Sequence, residues 1–339
     1  MDTAMRFDVR DHIGYFIYPD KRFDAVHEAF DALHQRSMSY PRYTAALTDL
    51  IAQQPDFIDL HVQLAHAWQR QGKSRKALDA ALAGLAIGNR CIPEGFDGQI
   101  VWGIHDNRPF LSALEAAITA YIRMRRHKDA VVLIEKLLAY NPDDNQGVRY
   151  LHGSELLRIG KVRAAQAVFA EYAQTYPAYH YEHALSHLMQ HAWADAVTAL
   201  RHGFCTNPYI AEILSGNRSP TPLERWHGHS FERPDYASHY MAMYGELWER
   251  NVSYATFVRW AFNHSRVLAE RAKVAACREQ IYWEHDPAVA GPLIERFDRL
   301  LDHIDPGLSV EITAKKVDRE GNACFPWPDL TAAWAAGRE

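Results

Sequence analysis

Residues 162–177 read VRAAQAVFAEYAQTYP, and the pattern in this stretch decides the fold because two further stretches repeat it. Residues 127–142 read HKDAVVLIEKLLAYNP, and residues 193–208 read WADAVTALRHGFCTNP. All three have alanine in fourth place, a large apolar residue in eighth place and proline in sixteenth place. Positions four apart share one face of a helix, and proline cannot continue a helix. The sequence therefore predicts a repeated helix with a small residue on its buried face.

The intervals between these helices are close to constant. A fourth stretch, residues 74–89, reads SRKALDAALAGLAIGN and has asparagine in sixteenth place. The leading alanines are 35 residues apart from Ala130 to Ala165 and 31 apart from Ala165 to Ala196. From Ala77 to Ala130 the interval is 53 residues, which exceeds a 34-residue helix-turn-helix repeat by about 19. We therefore predict an insertion after the first unit.

A second helical segment precedes each of the four stretches. Counted from the first residue of the pattern, places four and five form a pair that tends to include a small residue. Place eight holds a large residue. These positions are His61, Leu64, Ala65 and Trp68; Leu114, Ala117, Ile118 and Tyr121; Arg149, His152, Gly153 and Leu156; and His180, His183, Ala184 and His187. The whole pattern resembles the tetratricopeptide repeat superfamily. The resemblance implies an all-α chain, a right-handed α-solenoid of helical hairpins whose concave groove binds proteins or peptides.

The resemblance covers residues 57–210, and the flanking regions differ from it. Residues 1–56 keep helical apolar spacing on both sides of a break, which predicts an irregular capping hairpin. Residues 89–109, inside the repeats, are rich in glycine, proline and tryptophan, so we expect an ordered inserted loop. Residues 211–305 begin as a proline-rich crossing and continue as helices that close the stack. Residues 306–339 begin with apolar alternation before a turn signal, which predicts a short extended tail.

Composition limits the classes of function. The chain has 48% hydrophobic and 23% charged residues and a formal net charge of −5. This balance is typical of a soluble globular protein and makes nucleic-acid binding over a large surface unlikely on electrostatic grounds. No apolar run matches a signal peptide or a membrane span, and the four dispersed cysteines indicate reduced thiols, so we expect a cytoplasmic protein. No cofactor-binding motif is present, and we expect no cofactor.

The resemblance also transfers a set of concave positions onto this sequence. The last of them falls on Arg70, Arg123 and Arg158 in three successive units. Such an arginine ladder would suit an acidic peptide. Arginine near a helix C-terminus also interacts favourably with the helix dipole without any ligand, and that alternative stays open. Other candidates on the same face are His66, Glu115, Tyr150, Tyr181 and Leu185.

Two turns between the predicted hairpins place Asp and Asn just before a helix and Arg soon after. Residues of this kind are typical N-caps. The functional alternative is a polar recognition edge built from Asn107, Arg108, Asn145 and Arg149. Trp102 of the inserted loop is a separate partner-binding candidate.

His180, His183, His187 and His191 follow one another at intervals of three and four residues. On a helix this spacing places them on one stripe, where two imidazoles could share a metal ion. No carboxylate is arranged as in the HExxH motif, and packed or hydrogen-bonded histidines are the alternative.

The sequence therefore favours a non-catalytic scaffold that binds a protein or peptide, with no catalytic residue assigned. One alternative is a metalloprotein or metal-dependent enzyme that uses the histidine stripe. Another is a regulator that binds nucleic acid through a local basic run, although such a run is more often a solvated helix end. The run consists of Arg123, Arg125, Arg126, His127 and Lys128.

Overall fold

The structure, a computed structural model, describes residues 5–18, 23–34 and 38–328. In these ranges helices form nearly all of the regular structure, and the strands form two small hairpins. The predicted all-α class is therefore confirmed. None of the helices in the described ranges has the length and apolarity needed to cross a membrane. The chain divides into two compact units, Met1–Gly160 and Lys161–Glu339.

The described part of the first unit contains one strand hairpin followed by helices. The strands are β1 (Arg6–Arg10) and β2 (Ile13–Ile17), which pair antiparallel. The helices are α1 (Asp24–His34), α2 (Tyr40–Gln53), α3 (Ile58–Arg70), α4 (Ser74–Cys91), α5 (Arg108–Arg123), α6 (His127–Tyr140) and α7 (Arg149–Arg158). Helices α1 and α2 correspond to the predicted capping hairpin, α3 and α4 to the first repeat, and α5 and α6 to the second.

Small residues bring the helices of the first unit close together. Ala77, Ala81 and Ala130, the key positions of the repeat, are fully buried. A Cβ atom added to Gly88 of α4 would lie 2.3 Å from the ring of Phe110 in α5. The repeat pattern therefore works as predicted, because the small side chains leave room for the neighbouring helix.

Each of the four predicted hairpins turns through one residue with a positive φ angle. These residues are Gly72 (72°), Arg125 (57°), Gly160 (80°) and His191 (56°). Each lies two residues before the start of the second helix. In three hairpins the next amide donates to the carbonyl five residues back, at 2.9–3.0 Å, as in a Schellman motif. In two of these turns a non-glycine residue, Arg125 or His191, adopts the positive φ angle that favours glycine.

The N-terminal strand hairpin is a feature that the helical spacing does not predict. The amide of Gly14 donates to the carbonyl of Gln99 at 2.7 Å, and the amide of Gln99 donates to the carbonyl of His12 at 2.8 Å. Phe16 is buried with its ring centroid 5.0 Å from that of Phe110. The hairpin thus lies against the inserted loop and α5.

The inserted loop is shorter than predicted. Residues 89–91 belong to α4 and residues 108–109 to α5, so the loop spans 92–107. Ile100 is fully buried, and its amide donates to the carbonyl of Tyr140 at 2.8 Å. The loop is therefore anchored to α6, as we expect of an ordered insertion.

The second unit contains the following elements in its described part. The helices are α8 (Val162–Tyr172), α9 (Tyr179–Leu188), α10 (Trp193–Thr206), α11 (Pro208–Leu214), α12 (Pro234–Glu249), α13 (Val252–Asn263), α14 (Ser265–Trp283), α15 (Pro287–Asp302) and α16 (Pro306–Thr313). The strands β3 (Lys316–Val317) and β4 (Ala323–Cys324) form a short antiparallel hairpin. Helices α9 and α10 correspond to the fourth predicted repeat and pack on each other.

The two helices of the third predicted repeat belong to different units. The boundary falls at Gly160, between α7 and α8. Helix α7 packs on α6, and α8 packs on α9. The prediction of one domain over residues 57–210 is therefore corrected to two units that each contain repeats.

The proline-rich crossing begins as a helix rather than as a loop. Pro208 occupies the first turn of α11, where a missing amide hydrogen is tolerated. The side-chain oxygen of Asn207 caps this helix by accepting from the amides of Tyr209 and Ile210. Its side-chain nitrogen donates to the carbonyl of Phe231 at 2.7 Å. Asn207 therefore links the start of α11 by hydrogen bonds to the end of the crossing segment, which we define as residues 215–233.

The predicted extended tail is corrected at its start. Residues 306–313 form α16, because Asp305 caps the helix through the amide of Gly307 and Pro306 occupies its first turn. The following β3–β4 hairpin agrees with the predicted turn. Trp327 folds back and packs against Trp193 and Phe257, with ring centroids 5.3 and 4.8 Å away. The remainder of the predicted tail, residues 329–339, lies outside the described residues.

Candidate functional site

Helices α3 and α5 pack side by side and present polar side chains on one surface. We call this surface the α3–α5 face and define it by Asp59, His66 and Arg70 of α3 and Glu115 and Arg123 of α5. All five are half-buried or exposed. Four of them, His66, Arg70, Glu115 and Arg123, are positions that the repeat pattern places on the concave face. The face thus brings together four of the residues that the repeat pattern predicts for the concave groove.

Two cross-helix hydrogen bonds fix the geometry of this face. Gln69 donates from Nε2 to the carbonyl of Ala116 at 2.9 Å. Arg123 donates from Nη1 to the carbonyl of Gln69 at 2.8 Å. Since Gln69 precedes Arg70 in the chain, the second bond brings Arg123 to the last turn of α3. The two exposed arginines therefore lie at the same end of the face.

Carboxylates lie close to the same surface. Burial lowers the pKa of His66, and the nearby charges of Glu115, Arg70 and Asp59 also act on it, the two carboxylates in the opposite direction. Glu115 accepts a hydrogen bond from Nε2 of Gln146 at 2.9 Å. The face therefore contains both signs of charge, with the arginines in the last turns of their helices. Gln146, which the repeat pattern does not single out, extends the face toward α7.

The arginines of the predicted ladder are not equivalent. Arg70 is exposed and forms no ion pair with a residue that the structure describes. Arg158, by contrast, has a side chain that is 5% exposed and forms an ion pair with Glu155, which is itself 1% exposed. The structure therefore corrects the three-arginine ladder to a pair, Arg70 and Arg123.

Glu155 is a site that the sequence pattern does not reveal. Its carboxylate lies 2.6 Å from Nδ1 of His127 and also pairs with Arg158. A buried carboxylate needs such partners because its desolvation is otherwise costly. Glu155 thus links α6 to α7. Its partners are Arg158, a member of the predicted arginine ladder, and His127, a member of the predicted basic run.

Asn107 and Arg108 hold the inserted loop in place. Asn107 is fully buried; it accepts from the amide of Phe16 at 3.0 Å and donates to the carbonyls of Gly14 and Val101 at 2.9 and 3.2 Å. Asn107 is therefore neither a cap of α5 nor part of an exposed recognition edge, because all of its hydrogen-bonding groups serve the β1–β2 hairpin and the loop.

Trp102 and Arg108 form a pair on the surface of the loop. Nε of Arg108 donates to the carbonyl of Trp102 at 3.0 Å, and the guanidinium lies 5.4 Å from the centroid of the indole ring. The amide of Trp102 donates to the side chain of Asn141 at 3.3 Å. Both side chains remain half-buried, so they are positioned by the loop and still reach solvent.

The second polar turn is organised by Asp144. Its carboxylate accepts from the amides of Val148 and Arg149 and from Nε of Arg149, each at 2.9 Å. Asp144 therefore caps the start of α7, which agrees with the structural interpretation of this turn. Arg149 is committed to this cap, Asn145 is exposed, and Tyr150 is half-buried in the first turn of α7.

Two candidates that the repeat places in the groove are buried in the second unit. Tyr181 is fully buried, and its hydroxyl donates to the carbonyl of Asn207 at 2.5 Å. Leu185 is 1% exposed. The prediction that they line a groove is wrong, because both are buried within this unit, where the ring of Tyr181 packs against Phe204 of α10 and Tyr240 of α12.

The histidine stripe is only partly assembled. His180, His183 and His187 line a cavity of about 330 Å³ together with His202 of α10, and the side chain of Asp195 also lines it. The rings of His180 and His202 are stacked with centroids 5.0 Å apart, and those of His183 and His187 are 4.5 Å apart.

His191 does not line this cavity. It occupies the left-handed position of the turn after α9, and its ring lies 5.2 Å from that of Trp193.

Burial lowers the pKa of each histidine that lines this cavity. Burial, together with the neighbouring His202 and His183, holds the pKa of His180 well below its usual range. Burial and the adjacent His187 lower the pKa of His183 to about 4. No group of three or more His, Cys, Asp or Glu side chains in the described ranges is arranged to hold a metal ion. The metal-dependent alternative therefore gains no support from the arrangement of these rings.

The basic run of α5 and α6 does not form one cationic patch. Arg126 donates from Nε to Asp129 at 2.8 Å and lies over the ring of Tyr121. His127 contacts Glu155, and Arg123 bonds to α3. These contacts within the protein agree with a helix end rather than a phosphate-binding surface.

No protein-family model matches the sequence, and no curated protein matches it. Among solved structures, the chain is similar to a tetratricopeptide repeat protein from Parabacteroides merdae, with 14% sequence identity and a TM-score of 0.43. The match covers 82% of this chain and 97% of that chain. The comparisons assign the chain to no family.

Proposed function

We propose that the chain is a non-catalytic interaction scaffold that binds an extended, acidic peptide segment on the α3–α5 face. The observation that carries the proposal is the pairing of Arg70 and Arg123 at one end of this face, both exposed and on adjacent helices. Arginine presents several donors in a planar fork that matches a carboxylate. A peptide carboxylate placed between them would replace water on both side chains.

The partner needs more than negative charge. Asp59 and Glu115 lie on the same face, so a uniformly acidic segment would meet repulsion away from the arginines. The charge pattern therefore favours a peptide with a carboxylate at one end and polar or basic groups at the other. His66, between the carboxylates and Arg70, can donate or accept a hydrogen bond in its neutral form.

Selection from a random peptide display library tests this proposal on the full chain without a known partner. We expect the wild-type protein to enrich peptides with an Asp or Glu at a fixed position. Arg70→Glu is the sharpest variant, because Arg70 has no hydrogen bond or ion pair to lose among the described residues. It should enrich peptides with Lys or Arg at that position instead.

Arg75→Glu is the matched control. Arg75 is on α4, with a side chain that is 72% exposed, and its substitution changes the net charge by the same amount. This variant should enrich the same peptides as the wild type. If Arg70→Glu and the wild type select the same sequences, the α3–α5 face is not the binding site.

A further inference from the structure

A cavity of about 240 Å³ lies in the second unit between α10, α11, the crossing segment and α14. Its charged lining residues are Glu212, Arg225 and Arg271. Most of the remaining wall is apolar. The apolar residues include Phe204, Pro208, Leu223, Leu268 and Val274. An apolar cavity with a few charged groups is typical of a small-molecule site.

Arg225 is the unusual group in this cavity. It is 6% exposed, its Nη2 donates to the carbonyl of Thr206 at 3.3 Å, and its Nε has no hydrogen-bond partner. Its guanidinium lies 5.3 Å from the ring centroid of Tyr209. A buried cation with so few hydrogen bonds is costly, because water no longer solvates it.

Glu232, the carboxylate whose charge acts on Arg225, forms its hydrogen bonds with other groups. Glu232 accepts from Nη1 of Arg278 at 2.7 Å and from the amide of Gly228 at 2.9 Å. Burial and the neighbouring charge of Arg278 lower the pKa of Arg225 to about 10, although Tyr209 and Glu232 act in the opposite direction. The surroundings of Arg225 therefore carry an excess of positive charge.

Arg271 of α14 adds a second cation to the lining of the cavity. It donates from Nη1 to the carbonyl of Phe262 at 2.8 Å, and its guanidinium lies 3.4 Å from the ring centroid of Phe262. Glu212 is the carboxylate among the lining residues, and it accepts from the side chain of Asn217 at 2.9 Å. Two arginines against one carboxylate leave the lining with a net positive charge.

We propose that this cavity binds a small organic carboxylate, with its carboxylate on Arg225 and Arg271 and its apolar part against Leu223 and Val274. The guanidinium fork supplies paired donors that fit a carboxylate. The apolar wall disfavours a bare inorganic anion, which would gain nothing from it. The ligand would neutralise the buried charge and exclude water in one step.

Calorimetric titration of the full chain with hexanoate tests the proposal, with hexan-1-ol and inorganic phosphate as the matched probes. Hexanoate should bind saturably and raise the melting temperature, whereas the alcohol lacks the charge and phosphate lacks the apolar part. Arg271→Gln should weaken hexanoate binding by roughly ten-fold, as expected for one lost charged contact. Arg218→Gln, an exposed position on the same crossing segment, should leave it unchanged.

Glu212→Gln supplies a test with the opposite sign. It removes the carboxylate from the lining, so hexanoate should bind several-fold more tightly. Arg225→Gln should abolish binding, and if that variant does not fold, the opposite effects at Arg271 and Glu212 decide the matter. The proposal is overturned if hexanol binds as tightly as hexanoate, if no straight-chain acid from acetate to octanoate binds, or if Arg271→Gln has no effect.

Discussion

Nδ1 of His127 lies 2.6 Å from the carboxylate of Glu155, and this contact ties the first turn of α6 to the middle of α7. The same carboxylate pairs with Arg158. Glu155 is 1% exposed, so the three side chains form a polar cluster around a buried carboxylate. The cluster decides how substitutions at these positions should be interpreted.

Glu155→Gln should lower the free energy of unfolding by about 3 kcal/mol, because it leaves the buried guanidinium of Arg158 without its carboxylate. Urea denaturation measures this change. The control is Glu94→Gln, an exposed glutamate of the inserted loop, which should change stability by less than about 0.5 kcal/mol. Equal midpoints for the two variants would show that the cluster contributes nothing to stability.

The same geometry excludes Arg158 as a test of ligand binding. Arg158→Glu would place a second carboxylate beside Glu155 in a buried position. Loss of folding and loss of binding would then be indistinguishable. Arg70, with no such partner among the described residues, separates the two effects.

Asn107→Ala should destabilise the first unit by about 1–3 kcal/mol, because the buried amide of Phe16 and the carbonyl of Gly14 lose their side-chain partner. Hydrogen exchange should show the largest loss of protection in β1 and β2. Asn145→Ala is the control, since Asn145 is exposed in the corresponding turn before α7. An equally small effect for both variants would contradict the anchoring role of Asn107.

Acid should destabilise the second unit through the histidine cavity. The pKa of His183 is lowered to about 4 in the folded state, whereas an unfolded histidine titrates near 6.5. Between about pH 4 and pH 6.5, His183 therefore binds a proton in the unfolded chain but not in the folded one. Stability is therefore fully present above about pH 6.5 and falls as pH decreases, by about 1.4 kcal/mol per pH unit for one such histidine.

His183→Gln checks this sign. Denaturation midpoints measured between pH 7 and about pH 4 should fall less steeply for the variant than for the wild type. His285→Gln changes an exposed histidine of the same unit and should keep the wild-type slope. A slope that does not change in His183→Gln would rule out this residue as a source of the pH dependence.

His191→Gly should stabilise the second unit by roughly 0.5–1 kcal/mol. His191 has a φ angle of 56°, a conformation that costs a non-glycine residue about 1–2 kcal/mol, partly offset by the greater freedom of glycine in the unfolded chain. Thermal denaturation reports the gain. His191→Ala keeps the Cβ atom and should give no gain, so stabilisation by both would point to another cause.

The repeat pattern predicted the helical hairpins well because its small residues lie where one helix packs against another. Ala77, Ala130 and Ala165 are small for the same reason in each unit, and all three are fully buried. The β1–β2 hairpin was missed because its strands are short and only half-buried. Helix α16 was predicted as an extended segment because the apolar alternation at its centre outweighed the Asp305–Pro306 start signal.

Groove positions were harder to predict than helices. The repeat rule places Tyr181 and Leu185 on a concave face, but the later helices of the second unit bury them. The rule likewise treats Arg158 as a copy of Arg70, although Glu155 lies within one turn of it. Local spacing identifies which face a residue occupies, while only tertiary packing decides whether that face is open.

Phe16 and Asn107 are joined by a buried hydrogen bond across 91 residues of chain. During synthesis the N-terminal hairpin therefore leaves the ribosome roughly 5 to 18 s before the loop that receives it, at about 5–20 residues per second. A two-stranded hairpin alone is marginally stable in water. The hairpin thus cannot complete its buried contacts until the loop has been made, and the ring of Phe16 lacks its partner Phe110 in the interval.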